Sequence, residues 1–391
     1  MENENAPENT FGTFLIALRR ITMYIYQNSQ WPNFAWSETR ILPLLSSVRN
    51  HQGRLAGKMS ALGFQLQNQA NFEILTQDVL KTSEIEGEML SKQQVRSSVA
   101  RRLGLDIAGL IPSDRNVDGA VEMMFDATRN YQEQMSKERL CSWQSALFPG
   151  GFSGMYKVIT GSWRDDSTGP MQVVLGPLGK EKVHFQAPEA TRIEQEMKAF
   201  LKWFNETHSL EPVIKAGIAH LWFLTIHPFE DGNGRIARAL TDMLLARSDN
   251  QAQRFYSLSA QIRKQRKSYY EILEKTQKGS LDITEWLVWF LKCLLKALEN
   301  SEQLLEKVIF KHGFWIKNVE KTENGRQRKM LNLLLEGFEG NFTTSKWAKI
   351  NKCSPDTALR DIRDLVNKGV LKKLPGGGRS TAYGLAEKRM E

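Results

Sequence analysis

The chain has 391 residues, 41% hydrophobic and 25% charged, with a formal net charge of +9, a balance that fits a folded globular protein and excludes disordered or fibrous classes. Its longest apolar runs, FGTFLIAL at 11–18 and LVWFLKCLL at 287–295, fall short of the roughly 20 residues a membrane span needs, and the acidic opening MENENAPENT is unlike a secretory leader. With Cys141, Cys293 and Cys353 far apart, neither a disulfide framework nor a zinc site is expected, and the chain reads as cytoplasmic.

From Glu38 to Met123 the apolar residues recur at helical spacing, with Ile41, Leu44, Leu45, Val48, Leu55, Met59 and Leu62 near one stripe. Within this region KTSEIEGEML places Thr82 and Glu86 four apart, on one helical face, with Gly87 as a helix stop. Between 148 and 188 Gly and Pro multiply, and two β-prone runs, Met171 to Leu175 and Lys182 to Phe185, flank a Gly-Pro-Leu-Gly turn; this predicts a β-hairpin in a mainly α protein. Helices resume at EATRIEQEMKAFLKWFNE and at EPVIKAGIAHLWFLTI, the second apolar on nearly every face and so expected at the centre of a domain.

The next twelve residues, His227 to Arg238, read HPFEDGNGRIAR. Pro228 breaks the apolar helix and a new helix restarts near Gly234 or Arg235. A Gly-flanked loop feeding a helix N-terminus presents unpaired N–H groups and a partial positive charge, which suits a phosphate. Arg235 and Arg238, three apart, share a helix face and can hold the outer phosphates of a nucleotide. Asp231 is a hard oxygen ligand suited to Mg2+ beside an anion, and His227 has the intrinsic pKa of a general base. Phe229 reads as the loop's core anchor.

This motif matches, at every defined position, the Fic motif His-x-Phe-x-Asp/Glu-Gly-Asn-Gly-Arg-x-x-Arg, and the resemblance to Fic proteins runs from about Trp31 to Trp315. It implies transfer of AMP from ATP to a Ser, Thr or Tyr hydroxyl of a target protein, the chain itself being one candidate target, with release of pyrophosphate. His227 would deprotonate the hydroxyl, Asp231 bind Mg2+, Asn233 with the amides of Gly232 and Gly234 hold the α-phosphate, and Arg235 and Arg238 the β- and γ-phosphates. SYYEILEKTQKG is similar to the segment closing the adenine pocket, nominating Tyr269, Tyr270 and Gln277. The hairpin resembles the flap that docks the target, with Met171, Gln172, Val173, Val174 and Leu175 as its docking strand and His184 a strand residue without chemistry. Thr82, Glu86 and Gly87 fit the inhibitory motif Ser/Thr-x-x-x-Glu-Gly/Asn, in which the glutamate pairs with Arg238 in place of the γ-phosphate; in some members it also serves the reverse removal of AMP. Transfer of UMP, a phosphoryl or a phosphocholine group stays open, as does self-association into a homodimer.

Asn341 to Glu391 holds eleven Lys and Arg against five Asp and Glu, which points to an acidic partner. There QRKMLNLLLEGF, TTSKWAKIN and SPDTALRDIRDLVNKG predict three helices and VLKKLPGGGRSTAYGL two strands. Ser354-Pro355 is a helix start and Gly369 a stop. The order resembles a winged helix-turn-helix, which implies DNA contacts from Lys352, Thr357, Arg360, Arg363 and Arg379 or, as an alternative, protein docking. A transcription regulator with the Fic portion as sensor is therefore the rival to an enzyme. The expected fold is a Fic-type helical bundle with a β-hairpin flap, plus a winged-helix domain. Its parts are an extension (1–22), an N-terminal helical region with the inhibitory helix (23–104), the Fic domain (105–316), a linker (317–325) and the winged helix (326–391).

Overall fold

The computed structural model describes residues 23–105, 110–167, 169–175, 182–206, 210–336, 338, 340–375 and 381–387. The 1–22 extension, the Gly-Pro-Leu-Gly turn and Arg379 lie outside these. Two units are distinguished, one of residues 1–61 and 71–298, the other of 62–70 and 299–391.

After a short 3-10 turn at Ile25–Gln27, the chain forms α1 (Glu38–Ser60), α2 (Phe64–Ile85), α3 (Lys92–Leu103), α4 (Arg115–Arg129) and α5 (Lys137–Leu147). Of the stripe expected in α1, Ile41, Val48, Leu55 and Met59 are buried, Leu44 and Leu45 are half-buried, Leu62 lies beyond the helix end, and Gln52 joins the buried face. Two antiparallel hairpins follow, β1 (Phe152–Ser153) with β2 (Tyr156–Lys157), and β3 (Gln172–Leu175) with β4 (Lys182–Gln186). The first was not foreseen, since two-residue strands carry no alternation.

The helical core continues with α6 (Ala190–Asn205), α7 (Pro212–Ile226), α8 (Asn233–Asp249), α9 (Leu258–Lys264), α10 (Arg266–Gln277) and α11 (Thr284–Asn318). Pro212 opens α7, and the Glu211 carboxylate caps it by accepting from Ile214 N at 2.9 Å. Every residue from Val213 to Ile226 is buried, so α7 is the axis on which the following loop is mounted. α2 is tied to α8 by a buried cluster: Arg254 lies 2.7 Å from Asp242 and 3.7 Å from Asp78, and Ser257 donates to Asp78 at 2.5 Å. Burial raises both carboxyls, Asp78 to about 8 with Asp242 adding to the rise, and Arg254 offsets only part of it.

In the second unit α12 (Gly325–Glu336), β5 (Phe342–Thr343), α13 (Thr344–Asn351), α14 (Pro355–Asn367), β6 (Leu371–Lys373) and β7 (Ala382–Leu385) surround a core that includes Met330, Trp347, Ile362, Leu365 and Tyr383. The sheet is antiparallel in the order β5-β7-β6. The third strand, β5, adds to the two expected. Ser354 caps α14 by accepting from Thr357 N at 3.2 Å, with Pro355 in the first turn, and Gly369 follows it at φ +70°.

Candidate active site

His227 ends α7. It takes the left-handed conformation (φ 53°, ψ 59°) and donates its N–H to Phe223 O at 3.0 Å. Such a conformation is costly for a non-glycine residue, and a buried arginine that sequence reading missed holds it. Arg164 donates from Nε to His227 O at 2.8 Å and from its backbone N to Pro228 O at 2.9 Å, while Asp166 pairs with its Nη1 at 2.8 Å. Phe229 is wholly buried, its ring 5.0 Å from that of Trp163, so the loop is anchored at both shoulders.

The His227 ring has Nδ1 3.3 Å from Leu224 O. That contact places the proton on Nδ1 and leaves Nε2 as an acceptor. Burial, reinforced by the Arg164 charge, pushes the ring down to about 4, against the raising effects of the Leu224 carbonyl, Asp231 and Glu86. His227 therefore stands neutral near pH 7, the form a base requires.

Gly232 turns the chain at φ 89° and caps α8, whose first turn begins at Asn233. The Asn233 side chain braces the loop: Nδ2 donates to Phe229 O at 2.7 Å and Oδ1 accepts from Phe229 N at 3.0 Å. The main chain of the first helical turn presents the N–H groups suited to an anion. Asp231, half-buried, accepts from Gly232 N and from Ser153 Oγ, each at 2.5 Å. Ser153, on β1, is a second neighbour that spacing could not reveal.

Above this seat lies the end of α2. Arg238, 1% exposed along its side chain, donates to Glu86 Oε1 at 2.7 Å, to Thr82 Oγ1 at 2.7 Å and to Thr82 O at 3.0 Å. The three groups read from the sequence, 150-odd positions apart, meet in one contact. The Glu86 carboxylate stands over Gly234 so closely that a Cβ there would lie 2.1 Å from its Oε1. Gly87, at φ 88°, turns the chain so that Glu88 reaches Arg235 Nη1 at 2.7 Å. Among the described residues, Arg238 Nη1 and Arg235 Nε are buried donors with no hydrogen-bond partner.

A cavity of about 100 Å³ is lined by Glu86, His227, Gly234, Tyr269, Tyr270 and Gln277, together with Val173, His184 and Phe185 of the second hairpin. Tyr269 is buried, its hydroxyl 2.8 Å from His220 Nε2, while His220 Nδ1 lies 2.8 Å from Thr241 Oγ1. Burial, aided by Arg238, pushes His220 down to about 3, so this buried ring is neutral. Tyr270 reaches Glu86 Oε2 at 3.4 Å, and Gln277 donates to Thr225 Oγ1 at 3.4 Å. On the hairpin, Val173 pairs with Phe185 and Val174 with Val183, with a bulge between them at His184, which bonds Glu274. Met171 precedes β3 rather than belonging to it, and Gln172 pairs with Gln186. Leu175 ends that strand opposite Lys182.

Away from this site, Lys352 sits in the turn between α13 and α14 at φ 49°, exposed like Arg360 and Arg363 on α14. Thr357 Oγ1 lies 2.9 Å from Ser354 Oγ at the helix cap.

Residues 134–245 match the model of the Fic/DOC family, and residues 24–105 match a domain of unknown function, DUF4172. The protein adenylyltransferases Fic of Drosophila melanogaster and Drosophila virilis are each 36% identical over 105 residues, 26% of this chain. The match spans about 20% of the length of those curated relatives. A Fic family protein from Desulfovibrio desulfuricans has a similar fold, at a TM-score of 0.52 and 18% identity over 90% of this chain and 97% of that one. No helix among the described residues is long and apolar enough to cross a membrane.

Proposed function

We propose that the chain is a self-inhibited adenylyltransferase that moves AMP from ATP to a hydroxyl of a target protein. The observation that carries this reading is that a neutral histidine and the helix N-terminus at Gly234 share one cavity with the Glu86 carboxylate that Arg238 holds, while Arg235 borders a second cavity that Glu86 also lines, each arginine keeping an unpartnered buried donor. The name borne by the Drosophila relatives, protein adenylyltransferase, supports the choice of AMP.

In this reading His227 Nε2 takes the proton of the target hydroxyl as its oxygen forms a bond to the α-phosphorus. The bond from that phosphorus to the bridging oxygen breaks, and pyrophosphate leaves. The first-turn amides of α8 hold the α-phosphate, and Arg235 and Arg238 carry the charge that accumulates on the leaving group. Asp231 fits a Mg2+ ion: it is a half-buried carboxylate at the anion seat, and it lines a cavity of about 620 Å³ beside Arg235. Among the described residues no cluster of three or more His, Cys, Asp or Glu could hold a metal, so phosphate oxygens would complete the shell around Asp231, as Mg2+ prefers. When bound, the ion neutralises phosphate charge. Tyr269, Tyr270 and Gln277 close the base pocket, and Gln172 to Leu175 align the target by strand pairing. The Glu86–Arg238 pair keeps the γ-phosphate out and the enzyme off.

The second unit is a winged helix in this reading, with Arg360 and Arg363 of α14 facing DNA phosphates or bases and Lys352 and Thr357 beside them.

The test is transfer of label from α-labelled ATP by full-length Glu86→Gly protein mixed with lysate, followed by mass spectrometry of the adducts. AMP on Ser, Thr or Tyr that disappears when His227→Ala is added supports the reading, and UTP or CTP should not compete. Label that survives His227→Ala, or none at all, defeats it.

A further inference from the structure

Both motif arginines are occupied, and by different carboxylates. Glu86 holds Arg238, and Glu88, two residues on, holds Arg235 at 2.7 Å. Arg235 is fixed for this contact: its side chain is 6% exposed, and its guanidinium stacks 4.9 Å from the centre of the Phe148 ring. Glu88 is steadied from behind by Asn116 Nδ2, which donates to Oε1 at 3.4 Å.

The backbone makes the two contacts a unit. Gly87 adopts φ 88°, and the Glu88 N–H bonds back to Ser83 O at 3.0 Å, so the chain reverses after α2 and sends consecutive acidic residues to the two arginines. Glu86 borders the smaller cavity with His227 and also the larger one, whereas Glu88 borders the larger one with Asp231, Arg235 and Ser153.

Building on the nucleotide reading above, we propose that Glu88 is a second inhibitory carboxylate, which occupies the seat of the β-phosphate on Arg235 as Glu86 occupies that of the γ-phosphate on Arg238. The latch is then two-toothed. A ligand must displace Glu88 to engage Arg235 and both residues to engage the pair, so the affinity gained on removing each tooth depends on how many phosphates the ligand carries.

Glu88→Gln keeps the shape of the side chain and removes its charge. In full-length protein carrying His227→Ala to prevent turnover, affinities for AMP, ADP and ATP are measured by calorimetry with Glu88→Gln, Glu86→Gly and both. From the strength of a charged hydrogen bond, discounted for the partial exposure of Glu88, Glu88→Gln should tighten ADP by about tenfold. AMP, which lacks a β-phosphate, should be unaffected, and ATP should gain most in the double variant. Unchanged ADP affinity, or an equal gain for AMP, overturns the second tooth while leaving the nucleotide site intact. Failure of every nucleotide to bind the double variant defeats the nucleotide reading and this inference together.

Discussion

Replacing Glu86 by Gly should weaken the protein and sensitise it to ATP at once. Arg238 is buried, with a side chain 1% exposed, whereas Glu86 is 30% exposed. Breaking a fully buried ion pair from one side costs about 3–5 kcal/mol. Here Arg238 keeps the Thr82 hydroxyl at 2.7 Å and the Thr82 carbonyl at 3.0 Å, which brings the loss to about 2 kcal/mol, the range of one charged hydrogen bond. At about 2–4 °C per kcal/mol for a unit of this general size, the melting temperature should fall by about 4–8 °C. ATP should more than restore it, since a ligand at a hundred times its Kd stabilises by about 2.7 kcal/mol. The wild-type chain should respond far less, because its ligand must first expel Glu86. Thermal unfolding of both proteins, each with His227→Ala and with and without Mg-ATP, reads this directly. Equal ATP-induced shifts in the two would refute the reasoning, and so would a variant as stable as wild type that ATP does not move.

Gly234→Ala separates the latch from the seat: its Cβ would lie 2.1 Å from Glu86 Oε1 and 3.3 Å from Arg238 Nη1. The methyl should push Glu86 aside yet fill the anion seat, so thermal unfolding should show lost stability with no ATP response; an ATP response like that of Glu86→Gly would contradict the placement of the seat. His227, with its pKa lowered to about 4, is a base lost only as pH falls through that value, and kcat/KM of the Glu86→Gly enzyme should stay flat from about pH 5 to 7. A limb near 6.5 would assign the base elsewhere. The same shift makes folding lose stability as pH falls from about 6.5 toward 4, because the unfolded chain takes up a proton that the folded ring refuses; His227→Asn should lessen that part of the slope in a urea-midpoint profile, the share of His220, pushed down to about 3, remaining. For the second unit, Arg360→Ala with Arg363→Ala should reduce the salt slope of full-length binding to duplex DNA by about 2, and an unchanged slope would remove α14 from the interface.

The twelve residues from His227 to Arg238 were legible because each carries its chemistry locally: a helix stop, a positive-φ glycine, two arginines one turn apart. The spacing of Thr82, Glu86 and Gly87 marked only the end of a helix; the contact of Glu86 with Arg238 was expected from the resemblance to the inhibitory motif, and the structure contains that contact. Residues that act through the fold alone escaped. Arg164 touches the loop only because β-rich and helical segments converge on the His227 carbonyl, and Ser153 meets Asp231 only by way of a two-residue strand. Asn233 shows the opposite limit. Its place in the motif suggested a phosphate ligand; the structure adds that its side chain meets both polar groups of the Phe229 peptide, a bracing role that spacing did not reveal. His220 lay unmarked inside an apolar helix, where neighbours alone decide that it orients Tyr269.

How the latch can open follows from what holds α2. Thr82 is wholly buried and Asp78, one turn earlier, is locked against Arg254 and Ser257, so withdrawing the helix as a rigid rod would strip a buried carboxylate of its partners. Beyond Ile85 the constraints change: Glu86 and Glu88 are about one-third exposed, and Gly87 supplies the only backbone in that turn free to cross between left- and right-handed conformations at low cost. Arg266 and Tyr270 still hold the Ile85 carbonyl, at 2.7 and 3.4 Å, fixing the point at which the movement stops. On the proposed reading, opening would be a local rearrangement of the turn from Glu86 onward, with α2 staying seated.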